Sequence, residues 1–168
     1  MDGIVKEITP EEVIERYADM VYRIALLQVK TQMDADDIFQ EVFIRLVSHI
    51  HKLQNWEHVK AWLIKVTINC SRKHFSRYAV RNVFPMEEVT EIAMTENGFN
   101  AVEGDGPVTA AVKNLPVKYR NIVHLFYYEE LSVAEIAMIT KQKETTVKSQ
   151  LFRAREMLKG MLEGEIAL

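Results

Sequence analysis

The residues whose types suit chemistry with a ligand lie near the C-terminus, where cationic, hydroxyl and aromatic side chains alternate. Residues 141–159 contain six Lys or Arg and only two acidic residues, in a chain of formal net charge -3. Lysine and arginine donate hydrogen bonds to guanine edges and to phosphates, and serine donates to phosphates, so this segment is suited to the major groove of DNA. The side chains that would make these contacts are Lys148, Ser149, Phe152, Arg153 and Arg155.

Two helices are needed to position these side chains. Ser132 and Glu135 have the S-x-x-E spacing of a capping box, which predicts a helix that begins at Ser132. The next residues, 140–143, suit the turn of a helix-turn-helix. A plain helical hairpin with a solvated charged face stays open as the alternative. The second helix would bury four apolar residues on one side, namely Val147, Leu151, Ala154 and Leu158.

A second cationic surface is predicted on a helix that begins near Glu57. Residues 69–82 contain four Lys or Arg, no acidic residue and interleaved aromatic rings, a pattern suited to nucleic-acid phosphates and bases. Ordinary solvation of a charged face is the alternative. Trp56, in a polar break before this helix, either fills the core or stacks on an unpaired base. The polar face of the helix carries Lys65, Asn69, Arg72, Lys73 and Arg77.

A third candidate surface lies on a helix predicted to begin with Asp34 as its cap and to end near Ile50. Its wide apolar stripe should face the core. On the opposite side a solvated face is one interpretation, and a docking face for a partner protein is the other, because exposed isoleucine among polar groups suits an interface. The residues on that side are Asp37, Gln40, Glu41 and Ile44.

The amino-acid composition limits the classes of protein to which this chain can belong. The 168 residues are 48% hydrophobic and 27% charged, which is typical of a globular chain with one domain or two small ones. A single cysteine excludes an internal disulfide and fits a reducing compartment. There is no apolar run of about 18 residues and no basic-then-apolar leader, so we expect a soluble, cytoplasmic protein without membrane insertion. No motif indicates an enzyme, a cofactor or a metal site.

Charge divides the chain into three parts. Residues 83–107 carry six acidic residues and no basic one, while the segments on either side are mildly basic. This middle part also contains two prolines and three glycines, and its apolar residues follow no sustained period, so a flexible acidic linker is predicted. The expected architecture is all-α, with two small helical domains over 1–82 and 108–168.

Several of these segments resemble the short, extracytoplasmic-function (ECF) group of bacterial RNA polymerase sigma factors. Residues 34–43 (DADDIFQEVF) and 61–69 (AWLIKVTIN) resemble sigma region 2, a helical bundle. Residues 115–120 (LPVKYR), 132–137 (SVAEIA) and 146–149 (TVKS), with 153–156 (RARE), resemble sigma region 4, which contains a helix-turn-helix. The pair of motifs, in this order and spacing, is specific.

The resemblance implies that the chain binds core RNA polymerase and directs promoter-specific transcription initiation, with promoter DNA as the second partner and an anti-sigma factor as a further candidate. Asp37, Gln40, Glu41 and Ile44 would then bind polymerase. Asn55, Trp56 and Asn69, with Arg72, Lys73 and Arg77, would bind a flipped base and nearby phosphates of the minus-ten element. Lys148, Ser149, Phe152, Arg153 and Arg155 would read the minus-thirty-five element.

This chain departs from the family pattern in the helix-turn-helix. Lys141 stands where glycine is usual, and a positive φ costs a non-glycine residue roughly 1 kcal/mol, so we expect the turn to differ. Gln142, Thr145 and Gln150 also replace usual residues, which affects the predicted promoter readout. The competing hypotheses are a helix-turn-helix regulator that does not engage polymerase and a helical interaction protein without a DNA role.

Overall fold

The computed structural model describes residues 6–29, 31–82 and 106–166, with side chains described as far as residue 74 in the third helix and residue 164 in the last. The described residues form α-helices and no β-strand, as the all-α prediction requires. None of these helices is long and apolar enough to cross a membrane. The helices are α1 (Pro10–Gln28), α2 (Gln32–His49), α3 (Trp56–Asn82), α4 (Pro107–Lys113), α5 (Val117–Val123), α6 (Val133–Thr140) and α7 (Glu144–Ile166).

Local signals explain where the first helices begin. Thr9 followed by Pro10 is a sequence signal for a helix start, and the structure confirms it. The Thr9 hydroxyl accepts a hydrogen bond from the Glu12 amide, and Pro10 is the first helical residue. The prediction that Asp34 caps α2 is wrong. The Thr31 hydroxyl accepts from the Asp34 amide at 3.1 Å, so the cap lies three residues earlier and Asp34 lies in the first turn. Its carboxylate instead lies 2.9 Å from His74 of α3.

Helix α3 is buried more widely than its sequence pattern predicts. That pattern gives one apolar stripe, formed by Val59, Trp62, Leu63, Val66 and Cys70. Ile64 and Thr67 are fully buried although neither belongs to the predicted stripe, whereas Trp62 is only half-buried. The cause is that α3 packs against α1 and α2 and also against α6 of the second half. The Thr67 hydroxyl donates to the Leu63 carbonyl at 2.6 Å, which satisfies a polar group inside this packing.

The second half is built from four helices and one irregular turn. After α5 the chain widens into a π-helical turn over His124–Tyr128, which ends with a hydrogen bond from the Glu129 amide to the His124 carbonyl at 3.1 Å. Arg120 of α5 is buried and donates to the Lys113 carbonyl of α4 at 3.1 Å. Burial lowers the pKa of the Arg120 guanidinium to about 10.

The two halves are packed against each other. Helix α1 contacts α5, and α3 contacts α6. One continuous apolar cluster includes the core of the first half and much of the helix-turn-helix. The predicted linker lies outside the described residues as far as 105, and Pro107 is already the first residue of α4. The second half contributes Ile122, Leu125, Leu131, Ile136, Ala137, Ile139, Val147 and Leu151 to the shared cluster.

Candidate nucleic-acid interface

The turn between α6 and α7 has the geometry of a helix-turn-helix. The Ser132 hydroxyl accepts from the Glu135 amide at 3.1 Å, which confirms the predicted start of α6. Lys141 ends α6 in the left-handed conformation, with φ 55° and ψ 43°. This is the conformation that glycine adopts most easily, so the expected difference in the turn is absent and Lys141 carries the strain instead.

Helix α7 presents the predicted side chains to solvent. Its back is fixed by Val147, Leu151 and Ala154, each almost completely buried as predicted. Phe152 is 63% exposed and lies between Ser149 and Arg153 on this side of the helix. We define the recognition surface as the exposed side chains of Lys148, Ser149, Phe152 and Arg153.

The two arginines of α7 differ in their contacts within the chain. The Arg155 Nε donates to the Tyr127 hydroxyl at 2.7 Å, and its guanidinium lies 5.8 Å and 5.7 Å from the ring centres of Phe126 and Tyr127. Arg153 hydrogen-bonds to the Tyr119 hydroxyl, which lowers the pKa of that phenol. Arg155 therefore has a structural role in the second half in addition to any contact with DNA.

The cationic surface of α3 is present as predicted. Asn69, Arg72 and Lys73 are exposed on one side of the helix, while Cys70 and Ser71 between them are buried. Lys65 lies one turn earlier and is half-buried. The Arg77 side chain lies outside the described part of the chain. This side of α3 offers two cations and one amide to a phosphate backbone or a base.

Asn55 and Trp56 form the start of α3. The Asn55 side-chain oxygen accepts from the His58 amide at 2.8 Å and so caps the helix. Trp56 is the first helical residue rather than part of a loop, and its ring lies 6.1 Å from that of Tyr17. The Arg16 guanidinium lies 4.5 Å from the Trp56 ring centre. Trp56 thus has the core-filling contacts of the first interpretation, and it remains half-exposed.

The third candidate surface is an exposed stripe along α2. Asp37 and Gln40 are exposed, and Glu41 is half-buried and accepts from Arg45 at 2.6 Å. Ile44 is 70% exposed. The sequence analysis missed Val47, which is 61% exposed and lies three residues after Ile44 on the same side. The helical spacing that links Asp37, Gln40 and Ile44 predicts Val47 when it is continued by three more residues.

Sequence reasoning also missed a groove in the second half. The apolar spacing of residues 119–127 predicts that Tyr127 packs with the rest of its helix face. This prediction is wrong, because the π-helical turn changes the helical register and leaves the Tyr127 ring 51% exposed. Tyr128 is 55% exposed beside it. The groove has a volume of about 520 Å³ and is mostly apolar. Its lining consists of Val108, Val112, Val123, Tyr127, Tyr128, Arg155, Leu158, Lys159, Leu162 and Glu163.

Two family models match this chain, one for each half. The model described as Sigma-70 region 2 matches residues 13–81. The model described as Sigma-70, region 4 matches residues 106–158. The first range contains the α2 stripe and the cationic surface of α3, and the second contains the complete helix-turn-helix. Both matches follow the division of the fold into two halves.

Curated relatives match most of the chain. The ECF RNA polymerase sigma factor SigM of Bacillus subtilis is 32% identical over 158 residues, which cover 92% of this chain and 95% of that protein. The RNA polymerase sigma factor SigV of the same organism is 31% identical over 144 residues, covering 86% and 85%. These alignments run through both halves and the segment between them.

Solved structures share the fold at lower identity. The sigma factor RpoE from Bartonella quintana, determined in complex with the anti-sigma factor NepR, has a TM-score of 0.73 at 18% identity and covers 91% of this chain and 96% of that one. CnrH, determined with the cytosolic domain of CnrY, has a TM-score of 0.62 at 18% identity over 92% and 88%. At this identity the likeness concerns the fold alone.

Proposed function

Since the chain belongs to the ECF RNA polymerase sigma factors, we propose that three separate surfaces divide the work of promoter-specific initiation between them. A protein of this family binds core RNA polymerase and directs it to promoters, and it is not an enzyme. The assignment of each step to particular residues is the proposal. It is supported most strongly by one observation: the polar faces of α2, α3 and α7 are exposed while their opposite faces pack into apolar clusters.

The α2 stripe binds core polymerase. Ile44 and Val47 together expose apolar surface that has no partner among the described residues, and Asp37 and Gln40 flank it with polar groups. Apolar centres with polar rims are typical of protein interfaces. Glu41 is held by Arg45, so its carboxylate is already oriented before a partner arrives.

The recognition surface of α7 reads the minus-thirty-five element in the major groove. Lys148 and Arg153 supply cations for guanine edges or phosphates, and Ser149 supplies a short hydroxyl near the start of the helix. Arg155 is the last of these residues along α7. It contributes its charge, and its hydrogen bond also holds the Tyr127 hydroxyl in place.

The start and the exposed side of α3 hold the minus-ten element. Asn69 contacts a flipped base, and Arg72 and Lys73 contact the neighbouring phosphates, with Arg77 as a further cation on the same helix. Asn55 and Trp56 lie at the other end of this surface. Flipping a base costs a few kcal/mol, so a preformed site with stacking surface is needed.

The test is run-off transcription with core polymerase on a library of promoters, with and without the protein. We expect protein-dependent transcripts, and we expect Gln40→Ala with Glu41→Ala to reduce them by weakening polymerase binding. A helix-turn-helix regulator that does not engage polymerase would keep its DNA affinity and lose nothing in this double variant. A folded protein that supports no transcript from any promoter would contradict the proposal.

The location and the further partner follow from the same proposal. A chain that works with RNA polymerase acts in the cytoplasm. Because two proteins of this fold were determined together with partner chains, one of them an anti-sigma factor, an anti-sigma factor is also proposed for this chain.

A further inference from the structure

Arg155 is a cation of α7 that the chain itself holds in one orientation. Its Nε donates to the Tyr127 hydroxyl at 2.7 Å. Its guanidinium also lies 5.8 Å and 5.7 Å from the ring centres of Phe126 and Tyr127, within the range of cation–π attraction. These two rings are 5.0 Å apart and meet at 82°, so they restrict the guanidinium on two sides. The side-chain entropy that a free arginine loses on binding a ligand is therefore lost already on folding.

The π-helical turn over His124–Tyr128 brings Tyr127 to this position. In an uninterrupted α-helix Tyr127 would lie one turn after Val123 on the same face, and Val123 is buried. The wider turn instead leaves the Tyr127 ring half-exposed, where its hydroxyl reaches Arg155. Turns of this kind are rare and occur frequently at functional sites.

The corner at Glu129 keeps the turn in place. The Glu129 amide bonds to the His124 carbonyl at 3.1 Å, and the Glu129 carboxylate lies 3.0 Å from the His124 ring nitrogen. The Tyr128 ring stacks on the His124 ring at 5.3 Å. From the first half, Arg23 lies 3.6 Å from the same carboxylate, and Lys60 donates to the main-chain carbonyl at 3.0 Å. The phenol that holds the arginine is therefore carried by a turn with many contacts of its own.

The charge of Arg155 is left available to a ligand. Its partner at Nε is a neutral phenol, and no carboxylate among the residues that the structure describes forms an ion pair with it. Because Nε is occupied, the two terminal nitrogens of the guanidinium are the donors that remain. A planar pair of charged donors matches two oxygens of a phosphate. The arrangement is therefore suited to one oxyanion.

The place of Arg155 along α7 decides which part of the DNA it meets. Lys148, Phe152 and Arg155 are spaced i, i+4 and i+7, so they share one side of the helix. At about 1.5 Å per residue, Arg155 lies about 10 Å farther along the helix axis than Lys148. In a helix-turn-helix the first residues of the second helix read base edges, and the major groove is only about 12 Å wide. Arg155 therefore reaches the edge of the groove, where the phosphates lie.

We propose that Tyr127 is a positioning residue for promoter binding, which holds Arg155 so that its two terminal nitrogens bind one phosphate at the edge of the minus-thirty-five element. The inference rests on the proposed function and assigns a phosphate, and not a base, to Arg155. Phosphate contacts carry no direct sequence information. Promoter affinity should therefore depend on the Tyr127 hydroxyl, while the preference among base sequences should not.

Band-shift titration of the complex with core polymerase on promoter DNA tests the role of Tyr127. Tyr127→Phe removes only the hydroxyl and should weaken binding about threefold to tenfold, as expected for one hydrogen bond. The matched control is Tyr128→Phe, because the neighbouring ring is similarly exposed but stacks on His124, and it should bind like the wild type. In an Arg155→Gln chain, Tyr127→Phe should have no further effect, because the two residues act as one unit.

A methylphosphonate scan of the minus-thirty-five element, which neutralises one phosphate at a time, locates the contact. At one position the wild type and Tyr128→Phe should lose affinity, whereas Arg155→Gln should lose none. Tyr127→Phe should lose less than the wild type at that position and as much as the wild type elsewhere. A merely structural role of Tyr127 would leave the pattern of losses along the DNA unchanged.

Additive losses in the double variant, or a base preference that changes with Tyr127→Phe, would overturn the assignment. Proton exchange of the Arg155 Nε–H, measured by NMR on the free chain, is the second measurement. We expect faster exchange in Tyr127→Phe than in the wild type and Tyr128→Phe, and equal rates would also overturn the assignment. If no form of the chain binds promoter DNA with polymerase, the proposed function fails and the phosphate contact fails with it, while the NMR signal still decides whether Tyr127 holds Arg155.

Discussion

At the scale of single residues, Phe152 is a large apolar side chain that the fold leaves exposed. It lies between Ser149 and Arg153 on the recognition surface, with 63% of its surface accessible. In the major groove, thymine alone presents a methyl group, and phenylalanine is suited to contact it. Phe152 would therefore add a thymine preference to the contacts that the cations make.

Replacing thymine by deoxyuridine in the minus-thirty-five element tests this contact, because only the methyl group is removed. We expect about a fourfold loss of promoter affinity for the polymerase complex, since burial of one such group contributes about 0.8 kcal/mol. Phe152→Ala should weaken the thymine promoter and abolish the difference between the two DNAs. A Phe152→Ala variant that still distinguishes them would contradict the assignment. Band-shift titration measures the affinity of the wild type and of the Phe152→Ala variant for each of the two DNAs.

Lys141 is the second residue with an individual consequence, because its φ of 55° is unfavourable for any residue with a Cβ. Lys141→Gly should raise the free energy of unfolding by about 0.5–1 kcal/mol, the strain relieved less the extra chain entropy of glycine. Urea denaturation measures the difference. Gln142→Gly is the control, because Gln142 has no positive φ and should gain nothing. Equal effects at 141 and 142 would show that no strain is stored in the turn.

At the scale of helices, periodicity predicted most faces and failed where a helix touches more than one neighbour. The back of α7 was predicted correctly because α7 has one buried side. For α3 the predicted stripe is buried or packed against the core, but further residues are buried as well, because this helix packs on three others. Tyr127 was misplaced because the π-helical turn has no signal in an amphipathic pattern. Thr31 was missed as the α2 cap because Asp34 has the same capping chemistry.

The α2 stripe gives a prediction at this scale. Ile44→Asp with Val47→Asp should lower the affinity for core polymerase at least tenfold, because each side chain would otherwise bury apolar surface worth about 1.5–3 kcal/mol. Ile14→Asp on α1 is the control, since Ile14 is 40% exposed but lies outside the stripe. Binding to immobilised core polymerase provides the measurement. Unchanged affinity in the double variant would remove α2 from the interface.

The corner at Glu129 gives a pH prediction. Burial raises the pKa of Glu129, but the His124 hydrogen bond and the charges of His124, Arg23 and Lys60 outweigh it, so the folded-state pKa lies below 4.5. A depressed carboxylate pKa stabilises the fold above the unfolded-state value, and the contribution is lost as pH falls through the folded-state value.

Urea unfolding from pH 6 down to pH 3 measures this contribution. Glu129→Gln should flatten the fall in stability below about pH 4.5. Glu130→Gln, the exposed neighbour, is the control and should leave the slope of the wild type unchanged. A wild-type slope in Glu129→Gln would show that its carboxylate is not stabilised in the folded chain.

At the scale of the whole molecule, the local charge of the proposed DNA-binding surfaces is opposite in sign to the net charge of the chain. The chain carries -3, yet the recognition surface and the exposed side of α3 are cationic. DNA affinity of the polymerase complex should therefore depend on a few local cations. Lys148→Gln should reduce the slope of log affinity against log salt concentration by about 1 if Lys148 contacts a phosphate. Lys6→Gln, far from these surfaces in the sequence, should not change it.

The amino-acid sequence by itself determined the all-α class, the two family motifs and the exposed faces of α2, α3 and α7, because side-chain periodicity and caps act within a few residues. Only the tertiary structure decided how the halves meet. Arg23, Gln28 and Lys60 carry no local signal for a partner 69 to 106 residues away. Long-range contacts of this kind arise when two apolar faces are joined, so they follow from packing and not from spacing along the chain.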